Sequence, residues 1–231
     1  MRIALVHRDL HAVTRGGIGT LYRALAPRLR AAGHEVTLIT QRTPSPLELE
    51  EISVVPLPRT GDMERHRQAV AEALASLAPD IAESSSWEAE TLHYARLPRA
   101  GRSPVVVRGD LSAVTMRAGL PLVAAERELV HAADAILAVS GFAAGDLTSA
   151  YAIPRPAVTA NGADRDRFRG TAPELLAAGG GCTYRDSGDL RAILAGGPAP
   201  GGTLPAAIDW DATATATIGV YQALREGRKA A

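Results

Sequence analysis

Residues 15–19 read RGGIG, and they place Arg15, Gly16, Gly17 and Gly19 at the foot of a helical pattern. Free backbone N–H groups and the helix dipole favour an anion at such a point, so phosphate contact is the chemistry this stretch could do; the alternative is glycines that only let the loop turn. His7 ends the preceding apolar run and His11 lies in the same loop, each a candidate ligand or a structural histidine. Further along, Glu83 and Asp110 close two apolar runs. As carboxylates on adjacent strand ends they could share one small substrate as acid and base, and their mutual repulsion would raise one pKa. Asp110 is read as a general base, as an acceptor that orients a hydroxyl, or as the N-cap of the next turn. Trp87 and Glu88 lie just beyond Glu83. Arg108 either pairs with one of the carboxylates or holds a substrate carboxylate or phosphate. Cys182 has no Cys-His constellation around it, and no spacing suits zinc or a Walker-type loop, so neither metal nor cofactor is expected.

The elements that must position these groups follow from an alternation of short apolar runs with helical patterns, which marks an α/β fold: a Rossmann-like parallel sheet with helices on both faces. The first strand runs from Arg2 to His7. A helix from about Gly19 to Ala32 carries Leu21, Leu25 and Leu29 on one stripe, with a kink expected at Pro27 and a C-cap at Gly33. His34 to Thr40 is the second strand, and Ile52 to Pro58 a third, outer one, because proline cannot donate to a ladder. Asp62 is placed to cap a helix reaching about Ala78. Strands are then expected near 80–84, 104–108, 135–140 and 157–160, with helices near 87–96, 120–132 and 142–151 between them. In an open parallel sheet the ligand crevice lies beyond the carboxyl ends of the strands, where the strand order switches, and the candidate residues fall there. Beyond Arg169 the sequence turns glycine-rich and aperiodic until a final helix, WDATATATIGVYQAL, starting at Trp210. Two regions are therefore expected: residues 1–169 as the Rossmann-like domain and 170–231 as a segment that wraps back onto it.

Composition narrows the partners. The 231 residues carry 25 Lys and Arg against 25 Asp and Glu, so no net field draws the chain to nucleic acid or an anionic membrane, and small-molecule partners are favoured. No apolar run approaches the roughly 20 residues of a membrane span, and the apolar start RIALVH is too short for a signal peptide. A cytoplasmic location is expected, with a single cysteine that cannot form an internal disulfide.

Three stretches, RGGIGTLYRALAPRLRAAGHEVTLIT, PDIAESSSWEAE and ADAILAVSGFAAGDLTSAYAIPRPAVTANGADRDRF, together resemble the N-terminal domain of retaining glycosyltransferases of family 4, which have the two-domain GT-B architecture. LLAAGGGCTYRDSGDLRAIL is similar to the last donor-domain segment of that family, and IDWDATATATIGVYQAL to its closing helix. The resemblance implies a donor-binding block between these stretches, with Arg and Lys for a diphosphate and a Glu-x7-Glu motif, which this sequence does not contain there. Glu64 and Glu72 do stand at that spacing, but on the helix after the third strand, and are read as a solvated face. The family's histidine after the strand that here reads VVVRGDLS is also absent, which makes Asp110 the occupant of its place. Ser140, Gly141 and Asn161 match family loop and turn positions, where backbone geometry explains Gly and Asn most simply. The implied function is a pruned glycosyltransferase-like enzyme acting on a sugar, nucleotide sugar or glycosylated intermediate of a biosynthetic pathway. The alternatives are a non-catalytic partner of another enzyme and the acceptor half of a split transferase. A homodimer or a partner enzyme is expected on the face that a lost domain would leave.

Overall fold

The computed structural model describes residues 1–10, 17–44, 47, 49–162 and 209–229. Seven strands form one parallel sheet: β1 (Arg2–Val6), β2 (Glu35–Gln41), β3 (Ser53–Leu57), β4 (Ile81–Ser85), β5 (Val105–Gly109), β6 (Ala135–Ala138) and β7 (Ala157–Val158), in the order β3-β2-β1-β4-β5-β6-β7. The chain builds outward from β1 to β3, returns to the other side of β1, and builds outward again. The switch in order therefore falls between β1 and β4, the place where an open parallel sheet is expected to take a ligand.

Alternation along the central strands divides the core in two. Ile3, Leu5, Ile81, Val106 and Leu137 face α1 (Gly17–Ala31), through Leu21, Tyr22, Leu25 and Leu29, and the last helix, α6 (Trp210–Lys229), through Trp210, Ala214 and Tyr221. Ala4, Val6, Ala82, Val105 and Val107 face the other way. They pack against α2 (Met63–Leu77), α3 (Leu92–Ala95), α4 (Leu120–Ala132) and α5 (Gly141–Tyr151), whose Val70, Leu74, Leu129, Val130, Leu147 and Tyr151 fill that side. No helix among the described residues is long and apolar enough to cross a membrane.

Local chemistry sets the ends of these elements. Asp62 caps α2 by accepting from the N–H groups of Glu64 and Arg65 at 2.9 and 3.3 Å. Gly33, at φ +82°, ends the turn after α1, a conformation that costs glycine little. α1 runs through Pro27 as one assigned helix. The third strand is an edge, as its proline requires. α6 docks by its own first turn: Arg28 Nε donates to Asp211 Oδ1 at 2.7 Å, Thr213 Oγ1 donates to the carbonyl of Ala160 at 2.8 Å, and Trp210 and Tyr221 are buried.

One expected element is broken. In place of a continuous helix over 87–96 there is a 3₁₀ turn (Trp87–Ala89) and then the short α3. Glu88 and Ala89 both have positive φ, 64° and 50°. Arg67 on α2 is the physical reason. Its Nε lies 3.1 Å from both the Glu88 and Ala89 carbonyl oxygens, and its Nη2 lies 2.6 Å from the former, so these carbonyls are turned toward α2 instead of along a helix axis.

Candidate functional site

At the carboxyl end of the sheet, α1 begins beside Asp110. A Cβ placed on Gly17 would stand 3.8 Å from Asp110 Oδ2, and one on Gly19 would stand 3.5 Å from the carbonyl oxygen of Asp9. The first turn of this helix thus sits between the loop after β1 and the residue after β5. Asp110 is half-buried, and burial raises its carboxyl pKa above the ordinary value, against the pull of the Arg108 charge. Its loop is held from two helices. Asp146 accepts from Ser112 N at 2.6 Å and Thr115 Oγ1 at 2.5 Å, and buried Glu126 accepts from Ala113 N at 2.5 Å and from the hydroxyl of Tyr151. Gly109 leaves room there for the end of the Leu147 side chain, whose Cδ1 a Cβ would meet. His11, Arg15 and Gly16 lie outside the described residues, as does Cys182.

His7 closes β1 and is engaged by a residue the sequence did not single out. Glu90 is fully buried, its Oε1 lying 3.0 Å from His7 Nδ1 and its Oε2 2.7 Å from His66 Nε2. Burial alone would raise the Glu90 pKa, but the hydrogen bonds from His66 and His7 outweigh it and hold the carboxyl below its usual range. His66 Nδ1 in turn lies 3.1 Å from Gln41 Nε2, which also donates to the carbonyl of Thr60 at 3.2 Å. Four residues from four separate stretches of chain meet in this line, and only topology brings them together. A sequence signal existed in two otherwise unexplained histidines, but nothing in the spacing paired them.

Glu83 does not present itself to the crevice as the sequence suggested, and of the two readings of Arg108 the structure shows the pairing with a carboxylate. Arg108 Nε and Nη2 bind Glu83 Oε1 and Oε2 at 2.7 and 3.2 Å, and both residues have no exposed surface. They lie on the sheet face under α6, where Tyr221 donates to Glu83 Oε2 at 2.6 Å and Arg108 Nη2 donates to Thr217 Oγ1 at 3.0 Å. Despite the burial cost of its charge, Arg108 is held above its usual pKa by Glu83. The expected sharing of one substrate between Glu83 and Asp110 is corrected accordingly: the Glu83 carboxylate is enclosed and committed to a guanidinium and a phenol.

The remaining candidates are spread along the same edge. Trp87 is 36% exposed. Glu88 Oε2 pairs with Arg8 Nε at 2.9 Å, and burial raises the Glu88 pKa although Arg8 opposes this. Beside Glu88 a cavity of about 480 Å³ opens between α2, α3 and α4, with Leu92, Leu122 and Ala125 as its apolar wall and Arg67, Glu64 and Glu128 among its charges. Ser140 caps α5, its Oγ accepting from Ala143 N at 3.1 Å. Asn161 is partly buried, and its Oδ1 is enclosed without a hydrogen-bond partner beside Gly162, where a Cβ would stand 2.4 Å from Trp210 N. Glu64 binds Arg67 and His93, and Glu72 accepts from Gln68, so the Glu-x7-Glu pair serves the outer face of α2. Among the described residues no three His, Cys, Asp or Glu side chains are grouped to hold a metal.

No curated protein matches the chain. Among solved structures it is similar to sucrose-phosphate synthase from Thermosynechococcus elongatus, with TM-score 0.59 and 15% identity over 74% of this chain and 53% of that one. A further form of that synthase, comparable in length, matches over 96% of this chain and 98% of its own, with TM-score 0.53 and 14% identity. A glycosyltransferase from Rickettsia africae ESF-5 has TM-score 0.51 and 18% identity over 75% of this chain and 47% of its own. The chain thus spans about half the length of the two larger proteins. At these identities the likeness is one of fold, that of a single GT-B N-terminal-type domain. The family model described as Glycosyltransferase Family 4 matches residues 15–167, and the chain belongs to that family.

Proposed function

We propose that the chain is a glycosyltransferase-like protein whose crevice, above the ends of β1, β4 and β5, takes a sugar, a nucleotide sugar or a glycosylated small molecule. The observation that carries this reading is the position of Asp110 against the first turn of α1. A helix start supplies N–H donors for an anionic group, and a half-buried carboxylate beside it supplies an acceptor for a hydroxyl. In this reading Asp110 orients or deprotonates the reacting hydroxyl, and Gly17 and Gly19 let the backbone approach the substrate. Trp87 and Glu88 form the outer wall. Glu83 and Arg108 anchor the floor from beneath, and Ser140 and Asn161 shape the loops.

The test is ligand-detected NMR on the purified chain with UDP-glucose, GDP-mannose, maltose and glucose 6-phosphate, alongside Asp110→Asn. Saturation transfer to a sugar that falls in the variant supports the reading. Equal transfer in both, or none from any sugar, ends it.

A second reading has one observation behind it, the coverage of about half of each larger relative. The chain would then be an acceptor half or partner that a donor-binding chain completes. Val114, Met116, Leu120 and Phe142 are exposed apolar side chains in the loop after β5 and at the starts of α4 and α5, which suits a covered face. Transfer activity that appears only on mixing with a second chain distinguishes this reading from the first.

A further inference from the structure

The line from His7 through Glu90 to His66 fixes protons as well as positions. Gln41 Nε2 donates to the carbonyl of Thr60, which can only accept, so the amide group of Gln41 is oriented and its nitrogen also donates to His66 Nδ1. His66 Nδ1 is then an acceptor, and the proton of the neutral ring sits on Nε2, donated to Glu90 Oε2. The other oxygen of Glu90 receives Nδ1–H of His7. In the neutral ring that leaves His7 Nε2 as a bare lone pair. It has no partner among the described residues, it is not one of the enclosed polar atoms, and the ring is 17% exposed at the carboxyl end of β1, beside the order switch. The rim charge of Arg8 is paired with Glu88 and Asp9. Glu90 is held in place by the turn that Arg67 clamps, so the carboxylate that orients His7 rests on strained backbone at Glu88 and Ala89.

We infer that His7 is a second hydroxyl-binding group of the crevice, its Nε2 accepting the hydrogen of a substrate hydroxyl. Glu90 is the positioning residue that fixes its tautomer, and Gln41 and His66 fix Glu90. The hydroxyl role rests on the proposed reading of the crevice; the tautomer does not, and it can be measured without any ligand. A neutral acceptor nitrogen backed by a buried carboxylate is the arrangement that takes up hydrogen-bond or proton density from an alcohol.

The test is long-range ¹H–¹⁵N NMR of the histidine rings in the full chain, with diethyl pyrocarbonate acylation mapped by mass spectrometry. The expected wild-type result is opposite tautomers, Nδ1–H at His7 and Nε2–H at His66, with acylation at His7 and none at His66. In Glu90→Gln the locked His66 requires the amide oxygen, so the new NH₂ must face His7. His7 should then switch to Nε2–H and lose its acylation. His66→Phe should leave His7 as Nδ1–H and still reactive. A His7 found as Nε2–H in the wild type overturns the inference, and so does an unchanged His7 tautomer in a folded Glu90→Gln. If that variant does not fold, the wild-type tautomers and His66→Phe decide. Addition of UDP-glucose, GDP-mannose, maltose or glucose 6-phosphate then tests the hydroxyl role: protection of His7 from acylation supports it. Saturation transfer to any of the four sugars that test the crevice, without protection of His7 by that sugar, overturns that role while the crevice reading stands, and transfer to none of the four ends both together, leaving only the tautomer assignment.

Discussion

Tyr221 reaches back from the last helix to place its hydroxyl 2.6 Å from Glu83 Oε2, on a carboxylate that also binds Arg108. Thr217, one turn earlier, accepts from Arg108 Nη2, so two residues of α6 add hydrogen bonds to a buried ion pair formed by β4 and β5. Burying two charges is costly, and the bonds from Tyr221 to Glu83 and from Arg108 to Thr217 offset part of that cost, while Arg108 Nη1 stays enclosed without a hydrogen-bond partner among the described residues. The final helix is therefore part of the solvation of the sheet's own charges.

Removing single members of this group should expose that dependence. Tyr221→Phe is expected to destabilise the fold by about 1–3 kcal/mol, and Glu83→Ala, which strands a buried guanidinium, by about 3–5 kcal/mol. A paired Glu83→Leu, Arg108→Met variant should cost less than Glu83→Ala alone, because no unpaired charge remains. Urea denaturation of the set is the measurement, and an ordering with the double variant least stable would count against a charge-solvating role for α6.

The seat of α6 makes a second demand at Gly162. A Cβ there would lie 2.4 Å from Trp210 N and 2.6 Å from Trp210 Cα, both backbone atoms that cannot swing aside. Gly162→Ala should push the start of α6 off the sheet, shifting Trp210 fluorescence to longer wavelength and lowering the midpoint of thermal unfolding. The contrast is Gly109→Ala, where the obstacle is the end of the Leu147 side chain; overpacking there should cost about 1–3 kcal/mol with α6 still seated. Equal red shifts in both variants would remove the distinction.

The sheet was legible from sequence because its strands are short apolar runs separated by helical stripes, and RIALV and PVVVR read as buried on both sides whatever the tertiary context. Asp62 and Gly33 were legible because caps depend on the backbone within one turn. What failed depended on distant residues. The helix over 87–96 breaks because Arg67 takes the Glu88 and Ala89 carbonyls, and no local propensity reports that. The sequence suggests Glu83 at a strand end beside Asp110, yet β4 continues to Ser85 and strand parity turns Glu83 toward the face that α6 closes, and α6 enters from much later in the chain. Glu90 was missed because its importance comes from His7 and His66, which reach it from other elements.

Protonation gives a third prediction, with opposite signs at two carboxylates. The folded-state pKa of Asp110 is raised, so the folded chain holds that proton more tightly than the unfolded one; this contribution is present below the unfolded value and lost as pH rises through the folded value. Glu90 is depressed by its two histidine bonds against its burial, so its contribution is present above the unfolded value and lost as pH falls through the folded value. Asp110→Asn should therefore stabilise the chain at pH 7 and have little effect at acidic pH, while Glu90→Gln should destabilise it at pH 7 and progressively less on acidification. Thermal unfolding across that pH range is the check, and an Asp110→Asn variant less stable than wild type at pH 7 would contradict the burial of that carboxylate.

The last prediction concerns how tightly the first turn of α1 can hold a nucleotide sugar by itself. The first turn of α1 lies beside Asp9 and Asp110, and Arg8 is paired with Glu88, so the contacts on offer among the described residues are mainly backbone N–H groups on a diphosphate. Hydrogen bonds to charged groups contribute about 1.5–3 kcal/mol each, while association costs about 4 kcal/mol or more in lost translation and rotation. Two or three such bonds leave an affinity of roughly millimolar strength. UDP-glucose added to the purified chain should therefore give weak, salt-sensitive heats in calorimetry, and added sodium chloride should diminish them by screening. Micromolar binding would require ribose or base contacts beyond this turn, and would count against the second reading, in which another chain supplies the donor site.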